Sequence, residues 1–200
     1  MLDSFYNYIL KKLKPFIIWT GKIHMPFSRK KFTGKHYYKI RDKIEPGTVL
    51  LTTTHGELSN LINPVSVKHG AVYIGKTTDD ICYVTEAVGS GIVKTDLVTF
   101  LTTKDVVIGL KPNFLTETDK TLLPGEAVKF IGIPYDYLFE KGKKALYCFE
   151  NIVSVFKALR PELNYKKNEI VKGKAVYDSS TFLSDKELFT VLFDSRKMKL

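Results

Sequence analysis

Short apolar runs separated by turn residues constrain the fold more than any other feature of this sequence. The runs are rich in Val, Ile, Leu, Thr and Tyr, and Gly, Pro or Asp stand between them. Five runs are predicted to be strands: Thr48–Thr52, Lys68–Gly75, Ile81–Val88, Ile92–Thr95 and Val106–Leu110. Together with the helical patterns that follow, they indicate an α+β fold in which helices pack against an antiparallel sheet.

The clearest helical pattern starts near Tyr147, after an exposed loop at residues 140–144. Apolar residues at 149, 152, 153, 156 and 159 form one helical stripe, and Pro161 marks its end. We also expect a helix over 119–131, interrupted at Pro124-Gly125, and a helix over 184–193, where Ser184 and Glu187 have the spacing of a capping box. A short helix or ordered loop is expected at 55–62, and a further strand at 175–177.

Cys148 lies near the first turn of the helix that follows the loop. Unpaired N–H groups and the positive end of the helix dipole favour an anion there, so this thiol is a candidate nucleophile in its thiolate form. The sequence is equally compatible with a small apolar residue that packs the start of the helix. Both interpretations stay open at this point.

A thiolate catalyst needs a base and a polar group that orients the base. Of His24, His36, His55 and His69, only His69 opens a strong strand beside glycines. Glu86 shares an alternating strand face with Cys82 and Val84, and a carboxylate among apolar strand residues is a local inconsistency of the kind found at functional sites. Glu86 is therefore a candidate to hold the His69 imidazole, although a solvent-facing side chain is the simple alternative. Cys82 is expected to be an inert buried thiol.

Five sequence blocks occur in an order that resembles a known family: residues 46–51, 69–75, 85–91, 132–136 and 147–150. The order is similar to that of the YiiX-like group of circularly permuted NlpC-type papain-like cysteine hydrolases, which has bacterial and poxvirus members. In that group the histidine precedes the cysteine. The resemblance implies a permuted papain-like fold, with Cys148 as nucleophile, His69 as general base and Glu86 as the orienting group.

Several positions around these blocks remain open. Phe149 follows the cysteine where the group usually has Ser, and Lys68 precedes the histidine. Glu150 matches a recurrent family position, but a carboxylate in a first helical turn also favours the helix dipole, so we do not assign it a catalytic role. Tyr135 and Asp136 match a family block, and a turn held by Pro134 explains them as well.

The resemblance implies a thiol hydrolase or acyltransferase that acts on an amide, peptide or lipid-linked, through an acyl-enzyme. The group's relatives include cell-wall peptidases and lipid acyltransferases such as lecithin retinol acyltransferase. No metal or organic cofactor is expected, because the Cys and His spacings match no zinc site and the chain has no phosphate-binding loop. The rival hypothesis is a non-catalytic papain-like module that binds a membrane or nucleic acid.

The charge is concentrated at the start of the chain. Residues 1–43 carry eleven Lys and Arg against two acids, in a chain of formal charge +10. We divide the chain into a basic N-terminal extension at 1–43, with an amphipathic helix over 2–13, and a hydrolase domain at 44–200. The extension is suited to a membrane surface, but docking on its own domain or a solvated basic face explains it too.

The same segment interleaves aromatic and basic residues without matching a nucleic-acid-binding module, so nucleic acid is not a predicted partner. We expect a cytoplasmic or virion-borne protein, since the sequence has two cysteines and shows no signal peptide or membrane-spanning run.

Overall fold

The computed structural model describes residues 32–54, 67–76, 80–139, 144–171 and 174–198. In chain order the elements are α1 (Gly34–Ile40), β1 (Val49–Thr53), β2 (His69–Lys76), β3 (Cys82–Val88), β4 (Gly91–Asp96), α2 (Leu97–Thr102), β5 (Val106–Pro112), α3 (Glu117–Val128), α4 (Cys148–Leu159), β6 (Glu169–Val171), β7 (Lys174–Val176), α5 (Ser179–Leu183), β8 (Phe189–Asp194) and a 3₁₀ turn (Ser195–Lys197). The predictions for the helix at 2–13, the segment at 55–62, and most of the turn at 77–80 and of the loop at 140–144 lie outside the described residues.

The main sheet confirms the α+β fold class. Across the described residues six strands pair in the order β4-β3-β2-β1-β5-β8, and every neighbouring pair is antiparallel. All five strands predicted from the sequence are present. A second ladder of two short strands, β6 and β7, includes residues 175 and 176 of the strand expected at 175–177.

The prediction of a helix over 184–193 is wrong. Residues 189–194 form β8, which pairs with β5, and the nearby helix is α5, five residues earlier than the predicted start. Its capping box joins Asp178 and Thr181 rather than Ser184 and Glu187. A strand is more stable than a helix here because it buries Phe189 and Phe193 beside β5, where Gly109 leaves space for the Phe193 ring.

The predicted interruption at Pro124 is also wrong, because α3 runs through it from Glu117 to Val128. Thr116 caps the helix by accepting the Asp119 N–H, and the Asp119 carboxylate accepts the Thr116 N–H in return. Leu123 and Ala127 are fully buried on either side of the proline. Their burial stabilises the helix against the loss of one backbone hydrogen bond.

Each face of the sheet carries its own apolar cluster, as expected when alternate residues of a strand point to opposite sides. On one face, Leu51 and Val72 pack with Ile152 and Phe156 of α4. On the other, Leu50, Ala71 and Val84 pack with α1 and α2 through Ile40, Phe100 and Leu101. Residues 32–40 therefore contact the domain, while the proposed boundary at residue 43 stays a prediction.

Both ends of α4 are tied to the rest of the domain. Arg160, just past its last turn, donates hydrogen bonds to Asp119 Oδ2 from Nε at 3.0 Å and from a terminal guanidinium nitrogen at 2.5 Å. Before its first turn, the Leu146 N–H donates to the Pro134 carbonyl at 3.0 Å. These contacts fix the position of the helix that begins with Cys148.

No helix within the described ranges combines the length and the apolar character needed to cross a bilayer.

Candidate active site

Cys148 is the first residue of α4, as the sequence pattern predicts. Tyr147 caps the helix with an extended backbone and makes no side-chain capping bond. The first-turn N–H groups of a helix have no partner within the helix, and the Cys148 N–H is one of them. The thiol is therefore held at a point where backbone donors and the helix dipole favour negative charge.

His69 is the first residue of β2, and its imidazole lies close enough to Cys148 for that residue to raise the pKa of the ring. The two elements meet closely because Gly70 has no side chain. A Cβ there would lie 2.7 Å from Ile152 Cδ1 and 3.1 Å from the ring of Phe149. Since Gly70 follows His69 and Phe149 follows Cys148, this packing brings the start of α4 close to the backbone of β2 at His69.

Glu86 holds the other side of the imidazole, with Glu86 Oε2 lying 2.8 Å from His69 Nε2. Ala71 pairs with Glu86 across β2 and β3, so His69 lies diagonally opposite the carboxylate on the same face. A carboxylate only accepts hydrogen bonds, so Nε2 carries the proton and Nδ1 is the nitrogen available to the thiol. The structure thus brings together all three residues that the sequence singled out.

Thr95 is a fourth member of this group that the sequence analysis missed. Its Oγ1 donates to Glu86 Oε1 at 2.6 Å. Val84 pairs with Thr95 across the β3–β4 hairpin, which places the hydroxyl diagonally opposite Glu86. The hairpin register contains this signal, because residues on the same face of adjacent strands are neighbours.

The charges of the pair stabilise one another. Burial alone would lower the pKa of His69, but its interactions with Cys148 and the hydrogen bond that it donates to the Glu86 carboxylate raise it to about 9. Burial alone would raise the pKa of Glu86, but the hydrogen bond and positive charge of His69 and the Thr95 hydroxyl lower it to about 2. An imidazolium and a carboxylate are therefore the forms present at neutral pH.

The other described candidates, His36 and Cys82, make contacts of their own outside this group. His36 Nδ1 accepts the Thr33 N–H at 3.1 Å in the cap of α1, and its ring stacks on Phe32. His24 and His55 are outside the described residues. Cys82 is half-buried rather than buried as expected, and its Sγ accepts a 3.3 Å hydrogen bond from the Tyr73 hydroxyl.

Glu150 does not behave as a carboxylate stabilised by the helix dipole. Burial, followed by the negative charge of Asp136, raises its pKa to about 7. Asp136 lies in the turn after Pro134 and accepts the Leu138 N–H at 2.9 Å. Burial and the charge of Cys148 raise the pKa of the neighbouring Tyr135 phenol well above its usual range. The block at 134–136 thus forms the turn that the sequence suggested and also borders the nucleophile.

Among the described side chains, no group of three or more His, Cys, Asp or Glu could hold a metal ion.

Comparisons with known proteins agree with this architecture. A family model described as the permuted papain-like amidase enzymes, YaeF/YiiX, C92 family, matches residues 43–193. The chain is similar to a crystal structure titled metalloprotein YiiX from Escherichia coli O157:H7, with a TM-score of 0.58 and 16% sequence identity over 74% of this chain and 95% of that chain. At that identity the likeness concerns the fold alone. A comparison with curated protein sequences finds no match.

Proposed function

The chain belongs to the permuted papain-like amidases of the YaeF/YiiX, C92 family and is a thiol hydrolase, and on that basis we propose that Cys148, His69 and Glu86 form its catalytic triad. In this proposal the enzyme cleaves an amide through an acyl-enzyme on Cys148. One observation carries the assignment, namely that the His69 imidazole lies 2.8 Å from the Glu86 carboxylate and close enough to Cys148 for that residue to act on its pKa.

The chemistry follows from the protonation states of these groups. In the imidazolium form of His69 the proton of the Cys148 thiol already resides on the ring, and the thiolate attacks the amide carbon. The imidazolium then returns the proton to the leaving nitrogen as the C–N bond breaks, which leaves a thioester on Cys148. Water, deprotonated by His69, releases the acid and restores the thiol. If an amine replaces water, the same intermediate transfers its acyl group, which is the acyltransferase alternative.

The start of α4 supports the step in which negative charge develops on the carbonyl oxygen. The Cys148 N–H and the positive end of the helix dipole lie beside the nucleophile, so an oxyanion formed there is stabilised by backbone donors. Glu86 and Thr95 act on the imidazole rather than on the substrate. They keep the Nε2 proton on the far side of the ring, which leaves Nδ1 to exchange protons with the thiol.

For the substrate we propose an amide whose acyl part is either a peptide or a lipid. The family description supports an amide bond. The basic character of residues 1–43 supports a substrate at an anionic membrane surface, where lysines gain favourable electrostatic energy. Co-sedimentation of the full chain with anionic and neutral vesicles at two salt concentrations tests this contact. Salt-insensitive or absent binding would reject it.

A screen of fluorogenic peptide amides and acyl lipids, with Cys148→Ala as the blank, tests the proposed activity. We expect turnover only with the intact thiol, and mass spectrometry of a rapidly quenched reaction should find the acyl group on Cys148. Alkylation by iodoacetamide provides a second readout, with Cys82 as the internal control. A catalytic thiol is labelled well below pH 8 and loses this reactivity in His69→Asn, whereas equal labelling of the two cysteines would favour the non-catalytic binding module.

A further inference from the structure

Two carboxyl groups beside the start of α4 each have one buried oxygen that accepts no hydrogen bond from the described residues. Asp136 accepts the Leu138 N–H through Oδ1, while its Oδ2 is buried and has no donor among the described residues. Glu150 lies in the first turn of α4, and its Oε2 is likewise buried without a described donor. Buried acceptor oxygens without donors are costly, and more so when the group is charged.

The surroundings of Glu150 do little to favour its charged form. The titratable groups that act on it or share its turn are the Asp136 carboxylate from the turn before α4, the Cys148 thiol and Tyr147 phenol at the start of α4, and Tyr177 and Lys167 from the chain after α4. Lys167 is the one cation among them, and its ammonium packs 4.8 Å from the centre of the Tyr177 ring. An anionic Glu150 would therefore lie beside Asp136 without an ion-pair partner in the described part of the chain.

We propose that Glu150 is a positioning residue that acts as a neutral carboxylic acid. When Glu150 ionises, the start of α4 stabilises the Cys148 thiolate and the oxyanion less well. The proposal rests on the proposed role of Cys148. An ionised Glu150 adds a negative charge to the helical turn where the thiolate forms and where the oxyanion would develop, and so opposes both. Because burial and Asp136 raise the pKa of Glu150 to about 7, the change falls near neutral pH.

The test compares two alkylating reagents that differ in charge and needs no substrate. Iodoacetate is an anion and iodoacetamide is neutral. The rate constant of iodoacetate at Cys148 divided by that of iodoacetamide therefore reports the charge beside the thiol. In the wild-type chain we expect this ratio to fall roughly fivefold as the pH rises from 5.5 to 8, with a midpoint near 7. A fivefold change corresponds to about 1 kcal/mol of charge repulsion. In Glu150→Gln the ratio should stay flat, because that side chain does not ionise.

Two further variants give opposite shifts and do not depend on Glu150→Gln being well folded. Asp136→Asn removes the neighbouring negative charge and should move the midpoint below 7. Lys167→Gln removes the cation that lowers the pKa of Glu150 and should move the midpoint above 7. Thermal unfolding at pH 6 checks that each variant is folded, and Cys82 reports any general effect of pH on the reagents.

A ratio that does not change with pH in the wild type, or an unchanged midpoint in Glu150→Gln, would overturn the proposal. Shifts of the same sign in Asp136→Asn and Lys167→Gln would do so as well. Failure of the proposed function gives a different result, in which Cys148 reacts no faster than Cys82 at any pH below 8. The experiment therefore separates an error about Glu150 from an error about the nucleophile.

Discussion

Thr95 Oγ1 donates a 2.6 Å hydrogen bond to one oxygen of Glu86, and the other oxygen of the same carboxylate lies 2.8 Å from His69 Nε2. The carboxylate is thus fixed from both sides by residues of two neighbouring strands. Because it accepts only, it determines which nitrogen of the imidazole carries a proton. This arrangement fixes the orientation of the His69 ring beside the start of α4.

Glu86→Gln should lower kcat/KM by roughly 10²–10⁴-fold on any substrate that the enzyme cleaves. The amide no longer stabilises the imidazolium, so the pKa of His69 should fall below about 9 and the alkaline limb of the pH–rate profile should move down with it. Steady-state kinetics from pH 5 to 10 measure both effects. A full rate with an unmoved alkaline limb would show that Glu86 does not act on His69.

Thr95→Val should lower kcat roughly 10-fold with little change in KM, since it removes one hydrogen bond to a charged group that does not touch substrate. Thr95→Ser keeps the hydroxyl and is the matched control, so it should restore most of the rate. Kinetics of the two variants side by side measure the effect. A full rate in Thr95→Val beside a loss in Thr95→Ser would mean that the methyl packing of Thr95 matters rather than its hydrogen bond.

The pair formed by His69 and Glu86 predicts how stability depends on pH. The folded pKa of Glu86 is lowered from 4.5 to about 2, so its contribution is present above pH 4.5 and is lost as the pH falls toward 2. The folded pKa of His69 is raised from 6.5 to about 9, so its contribution is present below pH 6.5 and is lost as the pH rises toward 9.

The shared contribution should therefore be largest between about pH 4.5 and 6.5. Differential scanning calorimetry of the wild type and of Glu86→Gln measures it as the difference in Tm at each pH. We expect this difference to be greatest in that window and to shrink on both sides. A difference that keeps growing above pH 9 would contradict the assignment of the two pKa values.

Gly70→Ala should destabilise the domain by roughly 1–3 kcal/mol, because the added Cβ meets Ile152 and Phe149 at the contact that brings α4 to β2. Activity should fall further than stability, since the helix start must shift away from His69. Gly125→Ala is the matched control. Its Cβ meets nothing within 4 Å in α3, so it should stabilise the protein by roughly 0.5–1 kcal/mol. Urea titration and turnover of both variants check the two expectations.

Local sequence pattern was sufficient for several parts of this protein. The five predicted strands, the helix that starts at Cys148 and the antiparallel α+β class all follow from side-chain periodicity and turn residues, which depend on neighbours along the chain. His69, Glu86 and Cys148 could also be singled out as candidate site residues, because each lies in a short contiguous block that resembles the family. The division at residue 43 stays a prediction.

Other features depend on contacts between segments that are distant in the sequence, so local pattern could not predict them. Residues 189–194 form a strand because β5 offers an edge and Gly109 leaves space for Phe193, whereas the local pattern favoured a helix. Thr95 reaches Glu86 only through the register of a hairpin. Glu150 has a raised pKa because folding buries it near Asp136, a carboxyl group that the helix pattern alone does not bring close. Periodicity along the chain thus determined the elements, while burial and cross-strand register, which exist only after folding, decided the environment of each group in the site.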